Sequence, residues 1–178
     1  MAPLFLFDKH AVSRGCQTLL CLSILILYQS KPMLTCHLHP AGDAFLVATG
    51  SSQIKVYDRD GKERGVSLAG DMYIRDLRNT KGHISPCTHA QWHPTDKYTG
   101  MTSSEDGSIR VWDTWNVLQK TVIKPQLAKP GRVAVTACAY NHDGGLIGGG
   151  MFDGTLQIWD VKGMHLHSYS LSEAAAHS

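Results

Sequence analysis

A three-fold internal repeat constrains this chain more than any other feature, because segments that share one template must fold as equivalent modules. The middle copy is the clearest. It runs Gln91-Trp92-His93-Pro94, a polar turn, Tyr98 to Ser104, Glu105-Asp106-Gly107, then Ser108-Ile109-Arg110-Val111-Trp112-Asp113. The third copy runs Ala139-Tyr140-Asn141-His142-Asp143-Gly144, Leu146 to Met151, then Phe152-Asp153-Gly154-Thr155-Leu156-Gln157-Ile158-Trp159-Asp160. The first runs Leu38-His39-Pro40, Ala44 to Gly50, then Ser51-Ser52-Gln53-Ile54-Lys55-Val56-Tyr57-Asp58. Trp92 precedes Trp112 by 20 residues, and Tyr140 precedes Trp159, as Leu38 precedes Tyr57, by 19. Asp106, Asp153 and Ser51 each stand six residues before the closing aromatic.

Within each copy Ile109/Val111 and Leu156/Ile158 alternate with polar neighbours, the period of a strand with one buried face. Asp106-Gly107 and Asp153-Gly154 are hairpin-turn dipeptides between two such strands. Weaker outer strands are expected over Lys62 to Leu68, Leu118 to Ile123 and His165 to Leu171. Four short antiparallel strands per unit, repeating every 47 to 55 residues, predict an all-β chain of about three propeller blades. The predicted division is a non-propeller segment over 1–31, a degenerate blade over 32–68, a loop over 69–81 and a blade over 82–123. A basic loop over 124–133, a blade over 134–171 and a tail over 172–178 complete it.

Composition then narrows the class. Hydrophobic residues make up 43% and charged residues 18%, a globular balance, and the interspersed net charge of +2 gives no cause to expect nucleic-acid binding. Cys16, Cys21, Cys36, Cys87 and Cys138 are odd in number and contain no C-x-x-C pair, so they read as small apolar residues of a reduced compartment. The uncharged stretch over 15–30 is short for a spanning helix. It is read as a targeting or anchoring segment, a buried strand or helix, or a terminus foreign to the domain produced by an alternative start or splice.

A closing Trp-Asp, an Asp-Gly six residues earlier and a Gly-His upstream resemble the WD-repeat family, and Gly82-His83, Asp106-Gly107 and Trp112-Asp113 carry all three. The resemblance implies a buried hydrogen-bonded tetrad of His83, Thr102, Asp106 and Trp112. The third unit implies only a partial one, Asp153 and Trp159, because Gly149 holds the hydroxyl position; the first replaces Trp with Tyr57 and Asp with Ser51. Lys55 to Gly61, Gly70 to Asp76, Asn79 to His83 and Ile123-Lys124-Pro125 are similar to the gastrulation-defective protein 1 homologues, over roughly Leu34 to Lys162. That resemblance implies a nuclear propeller that serves chromatin and DNA-damage responses through cullin-based ubiquitin ligases. Trp159, Asp160 and Lys162 match the blade ending with which receptors of those ligases contact their adaptor.

Cys36-His37-x-His39 and Cys87-x-His89-x-x-x-His93 have the residue types of metal ligands, but His39 and His93 occupy equivalent repeat positions, which accounts for them without a metal. Met72, Tyr73 and Ile74 in the long loop, and Lys120, Lys124, Lys129 and Arg132 in the basic stretch, are candidate partner contacts. No nucleophile elbow, phosphate-cradling loop or H-E-x-x-H motif is present. The expectation is a non-catalytic scaffold without cofactor, metal or small-molecule substrate. Its partners are other proteins, with a ligase adaptor and chromatin-associated factors among them, rather than nucleic acid or membrane. A truncated product or incomplete gene model lacking the parent's function is the alternative, as is a membrane-tethered or secreted fragment directed by 15–30.

Overall fold

The computed structural model describes residues 33–127 and 131–170. The apolar stretch over 15–30, Cys16, Cys21, Lys129 and the tail over 172–178 lie outside the described residues. Among the described residues twelve strands form three four-stranded antiparallel sheets, each ordered as in the chain. The first holds β1 (Met33–Leu38), β2 (Ala44–Thr49), β3 (Ile54–Asp58) and β4 (Glu63–Val66). The second holds β5 (Cys87–Trp92), β6 (Thr99–Ser104), β7 (Ile109–Asp113) and β8 (Leu118–Ile123). The third holds β9 (Val135–Tyr140), β10 (Leu146–Met151), β11 (Thr155–Asp160) and β12 (His165–Ser170). Register makes the sheets equivalent: Tyr57 pairs with Phe45, Trp112 with Gly100, and Trp159 with Ile147.

The sheets stack face to face, so the core lies between them and not within any one. Ala44, Leu46, Ala48, Ile54 and Val56 of the first sheet pack on Cys87, Ala90, Trp92 and Trp112 of the second. Met101, Ile109, Val111 and Ile123 of the second pack in turn on Val135, Cys138, Tyr140, Ile147 and Trp159 of the third. Strands β2 and β6 are therefore buried along their whole length, whereas β10 alternates and leaves Leu146 and, from β11, Leu156 exposed. Burying apolar area at about 25 cal/mol per Å² is the main force joining one sheet to the next.

The inner strands β1, β5 and β9 lie next to one another. The Trp92 indole N–H donates to the His37 carbonyl at 2.8 Å, and the Tyr140 amide donates to Gln91 Oε1 at 3.0 Å. The His39 ring meets Trp92 edge-on at 4.9 Å, and His93 meets Tyr140 in the same way at 4.8 Å. These repeat-equivalent histidines thus lock each sheet to its successor. Their ring nitrogens also serve the turns, His39 Nδ1 accepting from the Ala41 amide at 3.1 Å and His93 Nδ1 from the Asp96 amide at 3.0 Å. Among the described residues no three His, Cys, Asp or Glu side chains gather to hold a metal ion. Among them, too, no helix is long and apolar enough to cross a membrane. Burial pushes the thiols of Cys36, Cys87 and Cys138 up to about 12, which leaves them protonated at neutral pH.

Candidate functional site

Each stack of sheets has two ends. The turns β6–β7 and β10–β11 and the connections between sheets form the upper end; the turns β5–β6 and β7–β8 belong to the lower. At the upper end of the second sheet a chain of buried hydrogen bonds runs from Trp112 to Asp106. The Trp112 indole N–H donates to Thr102 Oγ1 at 2.8 Å, and Thr102 Oγ1 lies 2.8 Å from His83 Nε2. His83 Nδ1 lies 2.9 Å from Asp106 Oδ2. Since a carboxylate only accepts, the His83 Nδ1–H donates to Asp106, and Nε2 then accepts the Thr102 hydroxyl proton. All four groups are nearly or wholly excluded from water.

The electrostatics suit that direction. Burial lowers the His83 pKa and keeps the ring neutral, although Asp106 pulls the other way. Burial alone would raise the Asp106 pKa. Hydrogen bonds from His83, the Ser108 hydroxyl at 2.6 Å and the Ile84 amide at 3.2 Å overcome it and hold the carboxyl at about 2. The network is a permanent structural tie, with no proton poised for transfer near pH 7.

The equivalent positions elsewhere make no such network. Gly149 takes the place of Thr102, and a Cβ there would lie 2.7 Å from the Trp159 ring and 2.8 Å from Ile109 Cδ1. The Trp159 indole therefore fills the space of the missing side chain, and its buried N–H has no partner among the described residues. Asp153 is exposed and accepts from the Thr155 amide at 2.9 Å and the Thr155 hydroxyl at 2.6 Å, so it caps its own turn and does not meet Trp159. In the first sheet Ser51 likewise bonds Thr49 Oγ1 at 2.9 Å while Tyr57 packs on Phe45 and Val47.

The tetrad's position matters because His83 closes the long connection between the first and second sheets. The Gly70 amide donates to the His83 carbonyl at 2.8 Å, and a Cβ on Gly82 would sit 1.9 Å from the Leu68 carbonyl oxygen. Only glycines let the two ends approach so closely, and the result is a closed-neck loop of the Ω type. Buried Arg110 holds its centre: the guanidinium donates to the Leu77 carbonyl at 2.9 Å, the Thr80 carbonyl at 3.0 Å and Thr80 Oγ1 at 2.6 Å, and also to Gln119. Leu77 and Thr80 are buried, whereas Met72 and Tyr73 at the apex are 70% and 89% exposed and Ile74 is half-buried. Asp76 pairs with Lys124 at 2.6 Å, joining this loop to the next connection.

The basic stretch does not form one patch. Lys120 lies on β8 and donates to Thr99 Oγ1 at 2.9 Å, which commits it to the lower end. Lys124, just past the end of β8, is four residue steps further on, about 13 Å at the usual strand rise. Lys124 and Arg132 are instead joined by Arg75, from the Ω loop, around an upper cleft of about 220 Å³. At the lower end Tyr98 and Trp115 are 53% and 71% exposed and stand edge to face at 5.7 Å, beside a cleft of about 610 Å³. Asp160 ends β11 half-buried, and Lys162 beyond it is exposed. Sequence reasoning missed Arg75, Arg110 and Trp115; an arginine between two strand positions of buried periodicity was the one available signal.

Stacked four-stranded sheets, the Trp112 tetrad and the recurring closing aromatics define a WD-repeat protein. The family model for the WD domain, G-beta repeat, matches residues 74–113 and 126–160. The chain is similar to WD repeat-containing protein 70 of Xenopus tropicalis, at 44% identity over 128 residues, 71% of this chain and 20% of that protein. It is similar to WD repeat-containing protein 70 of Homo sapiens at 45% over 120 residues, 67% of this chain and 18% of that protein. The gastrulation defective protein 1 homolog of Drosophila melanogaster is 33% identical over 141 residues, 79% of this chain and 22% of that protein. The chain thus spans about a fifth of the length of these relatives.

Proposed function

We propose that the chain is a non-catalytic docking platform whose upper end presents the Ω loop to other proteins. The observation that carries this reading is the contrast within one loop. Its centre is fixed by the Arg110 hydrogen bonds and its base by the closed neck, while Met72 and Tyr73 at its apex are held out in solvent. Large exposed apolar side chains on a rigid support lose little entropy on binding and are typical interface anchors. Nothing in the buried tetrad acts on a substrate in this reading, since Asp106 and His83 spend their polar atoms on one another, on the Thr102 and Ser108 hydroxyls and on the backbone.

Similarity to WD repeat-containing protein 70 supports a narrower form of the reading, in which the platform is nuclear and serves chromatin-linked or DNA-damage-linked assemblies through a ubiquitin-ligase adaptor. The exposed Lys162 after Trp159-Asp160 is the adaptor contact in that reading.

The test is affinity capture from nuclear extract with the wild-type chain, Met72→Ser/Tyr73→Ser and Lys162→Glu. The loop variant is expected to lose most captured partners with an unchanged melting temperature, because both side chains are exposed. Lys162→Glu is expected to lose the ligase adaptor alone. An identical partner set for wild type and the loop variant would contradict docking through the loop.

A further inference from the structure

The upper cleft brings together two guanidinium groups that sequence separation conceals. Arg75 projects from the Ω loop and Arg132 from the connection between the second and third sheets; both line the cleft and both are exposed. Among the described residues neither forms an ion pair or a hydrogen bond. The remaining cation, Lys124, is already paired with Asp76, and that pair ties the two loops together. Asp106 lies beneath the cleft with its oxygens taken by His83, Ile84 and Ser108, so its charge is spent on the tetrad. Pro125, Leu127 and Val133 supply apolar walls. Such walls strengthen a charge pair by excluding water, and guanidinium forks match the two oxygens of a carboxylate.

We propose that this cleft receives an aspartate or glutamate side chain from an acidic segment of a partner protein, with Arg75 and Arg132 gripping the carboxylate from either side. The inference rests on the docking-platform reading and names the partner's chemistry. A space of about 220 Å³ suits one carboxylate side chain, and no aromatic ring lines it. Nucleic-acid strands are held by stacking platforms as well as by cations, so the cleft favours protein over nucleic acid.

The purified full chain is titrated into a fluorescein-labelled tetraglutamate peptide, its tetraglutamine counterpart and a labelled oligothymidylate of equal charge, with anisotropy as the readout. The tetraglutamate is expected to bind about tenfold more tightly than tetraglutamine, and the double variant Arg75→Gln/Arg132→Gln to lose that margin, as expected from deleting charge-assisted hydrogen bonds. Arg59→Gln/Lys62→Gln removes the same net charge from exposed residues of the β3–β4 turn and is expected to change nothing. Equal weakening by both double variants would reduce the effect to bulk charge and overturn the proposal. Absence of a preference for glutamate would overturn it too, as would oligothymidylate binding as tightly through the same two arginines. Failure of the docking reading is seen separately, as capture that ignores Met72→Ser/Tyr73→Ser whatever the peptide does.

Discussion

Trp112 and Trp159 close equivalent strands, yet their indole N–H groups meet different fates. The first donates to Thr102 at 2.8 Å; the second is buried without an acceptor among the described residues, because glycine stands where the threonine would be. Replacing tryptophan by phenylalanine removes that N–H and part of the ring. At residue 112 it also strands the Thr102–His83–Asp106 chain, at a cost of about 1–3 kcal/mol on top of lost packing. At residue 159 it removes a donor that was already unsatisfied. Denaturant titration of Trp112→Phe and Trp159→Phe is therefore expected to show the larger loss at 112, and equal losses would remove the tetrad from the account. The same residues set the acid response. Both His83 and Asp106 have folded pKa values below their ordinary ones, so the unfolded chain binds protons that the folded chain refuses. Their stabilisation is whole above the unfolded pKa values and is lost as pH falls. Half-buried His89, whose pKa burial also lowers, adds to the first step. The melting temperature is expected to be level above about pH 7, to decline below about 6.5 and to drop further below about 4 as Asp106 becomes a net proton acceptor on unfolding. Ring-nitrogen NMR of His83 provides the check: a neutral ring protonated on Nδ1 at pH 6.5 is the expected state.

At the scale of elements, one arginine organises a loop that lies well upstream of it and that no local pattern connects to it. Arg110 lies in β7 and its partners Leu77 and Thr80 lie some thirty residues upstream, so replacement by methionine keeps the strand packed and removes the loop's anchor. Amide hydrogen exchange over 76–82 is expected to rise in Arg110→Met while β6 and β7 stay protected. Unchanged exchange there would mean that the glycine neck alone holds the loop. The strands themselves were legible because hydrophobic period and Asp-Gly turns are local signals, and the closing aromatics keep their spacing. The tetrad's members were legible through the family resemblance. Arg110 was not, since strand alternation assigns it the polar side, and only the folded loop buries it. Lys120 failed for the opposite reason. A run of cations reads as one patch in a linear sequence, but a strand carries Lys120 and Lys124 to opposite ends of its sheet. Arg75 and Arg132 meet only because two connections converge, a fact that no sequence period encodes.

At the scale of the molecule, the decisive property is that the hydrophobic clusters straddle the sheets. The second sheet gives one face to Leu46, Ile54 and Val56 and the other to Tyr140, Ile147 and Trp159. No sheet can leave without exposing its neighbour, and the histidine–aromatic locks at each junction reinforce the coupling. Stability in such arrays is a sum of unit and interface terms, and strong interfaces make the array unfold as one body. That rigidity is what lets the Ω loop and the two-arginine cleft act as a preformed surface. The most direct test of this account is size-exclusion chromatography with light scattering on the purified chain, followed by a thermal melt of the recovered peak. A single defined species with one cooperative transition, shared by tryptophan fluorescence and far-UV signals, is the predicted result. Polydisperse material, or a melt without a transition, would contradict the claim that these three sheets form one rigid platform.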